Sequence, residues 1–437
     1  MSTGWLAFSI LGMLILFLSL GLPLVFILGG IAVIGLNLVM GPRSLFIVYC
    51  NTLAKTRDFT YITIPLFTYM AYMLERSGAA EDLYTMIQYW AGRLAGSLAI
   101  GTVFISTILA AMTGLSSASI ITMGVTVLPS MLRRGYDKHL AMGSIAAGST
   151  LGILIPPSVL GLLYSSASGS NIGRMFLAGF LPGFLVAALF ILYIGIRCYF
   201  KPELGPPLPD SEKISTKMKV NSLWSIVLPG LLVVLVLGSI FFGIATPLES
   251  AAVGALGSIL IVAINRKLNW KNFQEVNYKT LLLTVMVVWV LIAADSFRAL
   301  LVVTGIQHLV EKALLSVPFG TWGSIIFMQL ILFVLGCFID EFGIIIITMP
   351  AFLPVIRTLG IDPVWFGIIF IINMEMAEMT PPVALNIFYM KAIAPEGTTT
   401  EEVYKSVLPF IGMLGIALVA IMLFPQIALW LPNLMIK

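Results

Sequence analysis

Ser116, Ser117 and Ser119 stand together in a short polar stretch, GLSSAS (114 to 119), that cuts an otherwise apolar run. A hard cation such as sodium needs several oxygens. Inside a membrane these come from hydroxyls and from carbonyls freed where helices break. The serines supply the first kind. The second kind is expected near Ser149, Thr150 and Gly152, where the chain unwinds toward Pro156 in IPPSVLGLLY (155 to 164). This proline-interrupted segment recurs, because TPPVALNIFY (380 to 389) repeats it, and PSMLRRGYD (129 to 137) is echoed by PVIRTLGID (354 to 362), each 225 positions later. Equivalent oxygens in the second half are then Gly336 or Asp340 at the tip, and Met379 and Thr380 before the break. Small residues serving only close helix packing are the plain alternative for each stretch. Recurrence around both Pro-Pro pairs favours ion binding, with two or more sodium ions.

Ionisable groups inside apolar segments mark functional positions. Asp340 and Glu341 sit where the second apolar pair is interrupted, and Asp340 is a candidate for ion or substrate. Arg298 could pair its planar fork with a carboxylate; its alternative is a salt bridge to Asp295. Ser158 and Asn386, just past the two breaks, could hydrogen-bond an anion or a polyhydroxylated ligand. Glu249, Glu375 and Glu378 read as structural or interfacial, the last two forming a polar helix face one turn apart. Cys50, Cys198 and Cys337 have no ligand spacing and read as small apolar residues. His139 and His308 receive no role. GxxxxGK[ST] does not occur, so an ion gradient or a partner must supply the energy.

The elements that position these residues follow from composition. With 59% hydrophobic and 10% charged residues and a mean hydropathy of +1.05, the chain is a polytopic membrane protein lying in a lipid bilayer, and its net charge of +4 is no nucleic-acid signal. About ten apolar runs approach the roughly 20 residues of a spanning helix. Residues 1 to 42 carry no charge, so no cleavable signal is expected. Spans are read near 4 to 21, 22 to 40, 61 to 74 and 176 to 198, with an interfacial helix over 80 to 96. Residues 97 to 132 have arms too short to cross and read as a re-entrant hairpin; 139 to 165 is the first broken helix. The stretch 199 to 222 is a solvated cytoplasmic linker. Spans recur near 223 to 243, 247 to 265 and 280 to 296, followed by an interfacial stretch around Gln307 to Lys312. A hairpin over 319 to 358, a broken helix over 363 to 390 and a crossing at 405 to 425 complete the chain.

The fold class is therefore all-α, with repeats 1 to 198 and 223 to 437. Each has about five crossings, and the odd number inverts the second repeat relative to the first. Sixteen of the 24 Lys and Arg fall on one side of this topology. That side is cytoplasmic, so both termini are expected in the periplasm.

IPLFTYMAYMLERSG (64 to 78), GLSSASIITMGVTVLPSMLRRGYD (114 to 137), GSTLGILIPPS (148 to 158), ATPLESAAVGA (245 to 255) and EMTPPVALNIF (378 to 388) together give the chain a further reading. It resembles the large membrane subunit, DctM-like, of the tripartite ATP-independent periplasmic (TRAP) transporters, within the wider ion-transporter superfamily of elevator carriers. The resemblance covers nearly the whole chain. It implies sodium symport of an organic anion, of C4-dicarboxylate or sialic acid type, across the bacterial inner membrane. A periplasmic binding protein would hand the anion over, and a small four-helix membrane subunit, here a separate chain, would sit alongside. The nearest alternative is a stand-alone sodium-coupled di- or tricarboxylate symporter. An intramembrane enzyme is the remote one.

Overall fold

The computed structural model describes residues 3–90, 94–114, 116–207 and 216–435. The first half places α1 (Thr3–Ser19), α2 (Leu24–Met40), α3 (Leu45–Arg57), α4 (Thr63–Glu75) and α5 (Ala79–Trp90) ahead of a hairpin. Its arms are α6 (Ser97–Thr113) and α7 (Ser116–Thr126), extended by α8 (Leu128–Arg133). The first broken helix is α9 (Lys138–Thr150) and α10 (Val159–Ser168), and α11 (Ile172–Phe200) closes the half. The second half runs α12 (Thr216–Phe241), α13 (Pro247–Ile264), α14 (Trp270–Val303) and α15 (Ile306–Leu315). Its hairpin is α16 (Gly320–Gly336) with α17 (Glu341–Thr358); its broken helix is α18 (Pro363–Ala377) with α19 (Leu385–Ile393); α20 (Thr400–Leu423) and α21 (Gln426–Asn433) end the described chain.

Length alone does not separate hairpin arms from crossings, since α17 is long enough to cross and α16 is as short as α2. α16, with 17 residues, rises about 26 Å, short of the roughly 30 Å hydrocarbon thickness. It meets α15 at a 119° bend, so α15 lies across the end of the bundle while α16 runs into it. By length and hydropathy alone, five helices among the described residues could each cross a membrane: α11, α13, α14, α17 and α20. The remaining apolar helices are shorter, α2 and α18 included. Three boundaries differ from the sequence expectation. α12 starts at Thr216, inside the stretch read as linker, of which 208–215 lie outside the described residues. α14 is one helix of 34 residues, longer than the crossing read at its centre. α21 was not foreseen, because Pro425 ends one apolar run and starts the next.

The recurring motifs take the same local form. Gly135 and Gly360 both adopt left-handed φ, 78° and 66°, and in each case the following N–H reaches back five residues, Tyr136 to the Met131 carbonyl (3.1 Å) and Ile361 to the Ile356 carbonyl (2.9 Å). This is a glycine helix stop, which a side chain at that φ would strain. Asp137 and Asp362 then cap the next helix, accepting from the Leu140 and Val364 N–H at 2.9 and 2.7 Å. Pro156–Pro157 and Pro381–Pro382 are both cis.

The two halves also exchange partners. α7 of the first hairpin packs on α19, beyond the second break, and α17 of the second hairpin packs on α10, beyond the first. One continuous apolar core runs through both, while α1 and α2 form a second cluster with α14. Large apolar side chains such as Leu38, Leu192, Val234, Leu256 and Leu281 remain on the outside, as expected where the surrounding solvent is lipid. Tyr164 ties the halves together: its ring lies against Phe370 (5.7 Å between centroids) and its hydroxyl donates to the Pro363 carbonyl at 2.8 Å. Tyr164→Phe removes that bond alone and should cost about 1 kcal/mol, read as a melting temperature about one degree lower in detergent.

Candidate functional site

The first hairpin tip and the first break are in contact. Gly114 turns the chain with φ 63°, and a Cβ placed there would run into the Pro157 carbonyl oxygen. In the first turn of α7, Ser116 and Ser119 are buried and Ser117 is half-buried. The Ser119 hydroxyl has no hydrogen-bond partner among the described residues. Neither has Ser106 of α6, a residue overlooked in the sequence, whose hydroxyl faces the backbone at Gly148. Buried hydroxyls normally find partners, so the two orphans are open acceptors at the place where an ion is expected.

The remaining first-half residues are more committed. Ser149 and Thr150 each donate to their own helix, to the Ile145 and Ala147 carbonyls at 2.8 Å, leaving lone pairs but no free proton. A short 3₁₀ turn, Leu151–Ile153, carries Gly152 away from α9, and Gly152 and Pro156 are fully enclosed. Ser158 caps α10, accepting from the Gly161 N–H at 2.9 Å and donating to the Ile153 carbonyl. Its hydroxyl is thus engaged in holding the break.

At the second tip the backbone makes the junction, with the Val383 N–H donating to the Cys337 carbonyl at 3.1 Å. Gly336 packs against Ala377. Asp340 caps α17 through the Gly343 N–H at 3.1 Å, which fixes its carboxylate at the tip. A void of about 10 Å³, lined by Gly336, Asp340, Glu341, Glu378 and Ala384 among others, is about the size of one water molecule or small ion. Met379 is buried, and the Thr380 hydroxyl donates to the Met376 carbonyl at 2.7 Å. The two breaks are not equally covered: Pro156 and Pro157 are buried, Pro381 and Pro382 exposed.

The reading of Glu375 and Glu378 as a polar helix face is overturned. Glu375 is wholly buried with neither carboxyl oxygen partnered among the described residues. Glu378 is also buried, within hydrogen-bonding reach of Glu341, and accepts from Asn386 Nδ2 at 2.7 Å. The one-turn spacing was real, but α18 has no solvent face: Val364 through Glu375 are buried without interruption. Glu249 is structural as expected, closing a capping box with Thr246 at the start of α13.

Arg298 lies elsewhere. It lines a cavity of about 330 Å³ with Lys55, Asp295, Glu311 and Arg357, apart from the void at Asp340. Its proposed partner Asp295 is bound instead to Lys55 at 3.0 Å. The four candidate substrate residues therefore do not converge on one cavity.

The family described as "Tripartite ATP-independent periplasmic transporter, DctM component" matches residues 11–427. The chain belongs to this DctM family. Its relatives include the C4-dicarboxylate TRAP transporter large permease protein DctM of Vibrio cholerae, 31% identical over 398 residues and 86% of each chain. The ectoine TRAP transporter large permease protein TeaC of Halomonas elongata is 29% identical over 419 residues, 95% of this chain and 96% of TeaC. In three dimensions the chain is similar to the Alcanivorax borkumensis YdaH transporter, with a TM-score of 0.60 at 16% identity over 90% of each chain. The DctM chain, which has no strand among its described residues, is thus a multi-pass inner-membrane transport permease and not an enzyme.

Proposed function

We propose that this chain is the membrane subunit through which a sodium gradient drives import of an organic carboxylate. A periplasmic binding protein delivers the carboxylate, and a separate small four-helix subunit completes the permease. The observation that carries the sodium reading is the contact of tip and break at Gly114 and Pro157, with the orphaned Ser119 hydroxyl in the first turn of the helix that follows. Hydroxyl and carbonyl oxygens, with no soft ligand, are the donor set sodium prefers. Ser116, Ser117 and Ser119 with carbonyls near Ser149 and Gly152 would hold one ion; Gly336 or Asp340 with Met379 and Thr380 would hold the other.

Binding of sodium orders each tip against its break and completes an anion site between them. The shared packing of hairpins and broken helices across the halves supports an inverted pair that moves as one body, while helices such as α2 and α14 stay as scaffold. Sodium offsets the cost of taking a carboxylate through hydrocarbon. In this orientation both termini face the periplasm.

Proteoliposomes test this directly. With the small subunit and loaded binding protein present, an inward sodium gradient should drive uptake, and an equal potassium gradient should not. Equal uptake with potassium would refute sodium coupling, and uptake by the chain alone would establish the stand-alone symporter instead.

A further inference from the structure

The cavity at Arg298 has an unusual distribution of commitments. It lies where the end of α17 meets α14, α15, α3 and the end of α10, and its volume of about 330 Å³ suits a small metabolite. Three cations and two carboxylates line it. Each carboxylate already has a partner. Asp295 holds Lys55, which also donates to the Tyr61 hydroxyl at 2.6 Å. Glu311 accepts from Thr358 at 3.0 Å and faces His308 at 3.4 Å.

The guanidinium groups are left over. Arg357 makes one long bond, 3.5 Å to the Ser168 carbonyl, and Arg298 has no hydrogen-bond or ion-pair partner among the described residues. Both arginines are exposed to the cavity mouth or beyond, and a guanidinium fork is the side chain best shaped to grip a carboxylate. Acceptors lie beside them: the second lone pairs of Asp295 and Glu311, and the sheltered, unpartnered Oε1 of Gln307. A bare dicarboxylate has nothing to donate to them. A ligand with hydroxyl or ammonium groups does.

We propose that this cavity binds a carboxylate bearing hydroxyl or ammonium donors, its carboxylate between Arg298 and Arg357 and its donors toward Asp295, Glu311 and Gln307. This rests on the anion-import reading: the cavity is a further site for the imported anion, apart from the one between the tips, and it narrows that anion's class. Arg298 comes from α14 and Arg357 from α17, so the bound anion joins a helix assigned to the scaffold to one assigned to the moving body.

The test is titration of the purified full-length chain in lipid nanodiscs with D-glucuronate and with succinate, followed calorimetrically. Glucuronate should bind at least about tenfold more tightly than succinate, and Arg298→Gln or Arg357→Gln should each weaken it by about tenfold or more. Arg298→Lys, which keeps the charge and loses the fork, should recover only part. Because Arg298 has no internal partner to lose, Arg298→Gln should melt like the parent, which separates binding from misfolding. Succinate binding as well as glucuronate, or binding indifferent to both arginine substitutions, overturns the proposal. Failure of both probes to bind at millimolar concentration overturns it as well. None of these results touches the import reading, which fails only if sodium-driven uptake in the three-component proteoliposomes is absent.

Discussion

Replacing Gly114 by alanine should abolish sodium-dependent uptake. Gly114 combines a φ of 63° with a direct approach to the Pro157 carbonyl, so alanine meets two penalties. A Cβ in the left-handed region costs about 1 kcal/mol or more. Forcing it against a backbone oxygen that cannot rotate away costs a further ~1–3 kcal/mol. Both fall only on the state in which tip and break are docked, because an undocked tip can relax. About 3 kcal/mol would lower the docked fraction roughly a hundredfold. The measurement is the gain in melting temperature when sodium replaces potassium, which should be present in the parent and absent in Gly114→Ala. Gly114→Asn divides the two causes, since asparagine tolerates the left-handed conformation but still carries a Cβ. It should fail nearly as badly. A parental sodium response in Gly114→Ala would mean that the close approach has no part in ion binding.

Why the first tip was legible in the sequence and the cavity was not follows from the residues involved. Proline, glycine and serine act locally: a Pro-Pro pair breaks a helix wherever it stands, and a glycine stop such as Gly135 is written in the few residues around it. Repetition of the Pro-Pro signal 225 positions apart therefore pointed to the two breaks, while the short interrupted apolar arms pointed to the hairpins. Arg298, Arg357 and Lys55 are different. They lie on α14, α17 and α3, and only the packing of those helices brings them to one cavity. For Asp295 the nearer guess, a pair with Arg298 three residues on, lost to Lys55, 240 positions earlier. Glu375 and Glu378 show a subtler failure. Spacing of one turn says that two side chains share a helix face, but says nothing about whether that face meets water or core. Around α18 everything is core.

The second large effect is expected at Asn386, which clamps the second break. Its amide donates to Glu378 across the unwound segment at 2.7 Å, and both side chains are buried. Leucine fills similar space without a donor, so Asn386→Leu leaves a carboxyl oxygen facing apolar surroundings. An unsatisfied buried acceptor costs about 1–3 kcal/mol, and more if it is charged. Asn386→Leu should therefore lower the melting temperature by about one to three degrees and, by loosening the break beside the second tip, abolish uptake. Removing both partners should behave differently, because the clamp's donor and acceptor go together and only Glu341, within reach of Glu378, loses a contact. In Glu378→Leu/Asn386→Leu part of the melting temperature should return while uptake stays lost. A single variant that melts like the parent would show that the clamp contributes no stability. A double variant that regained transport would show that the pair serves only the fold.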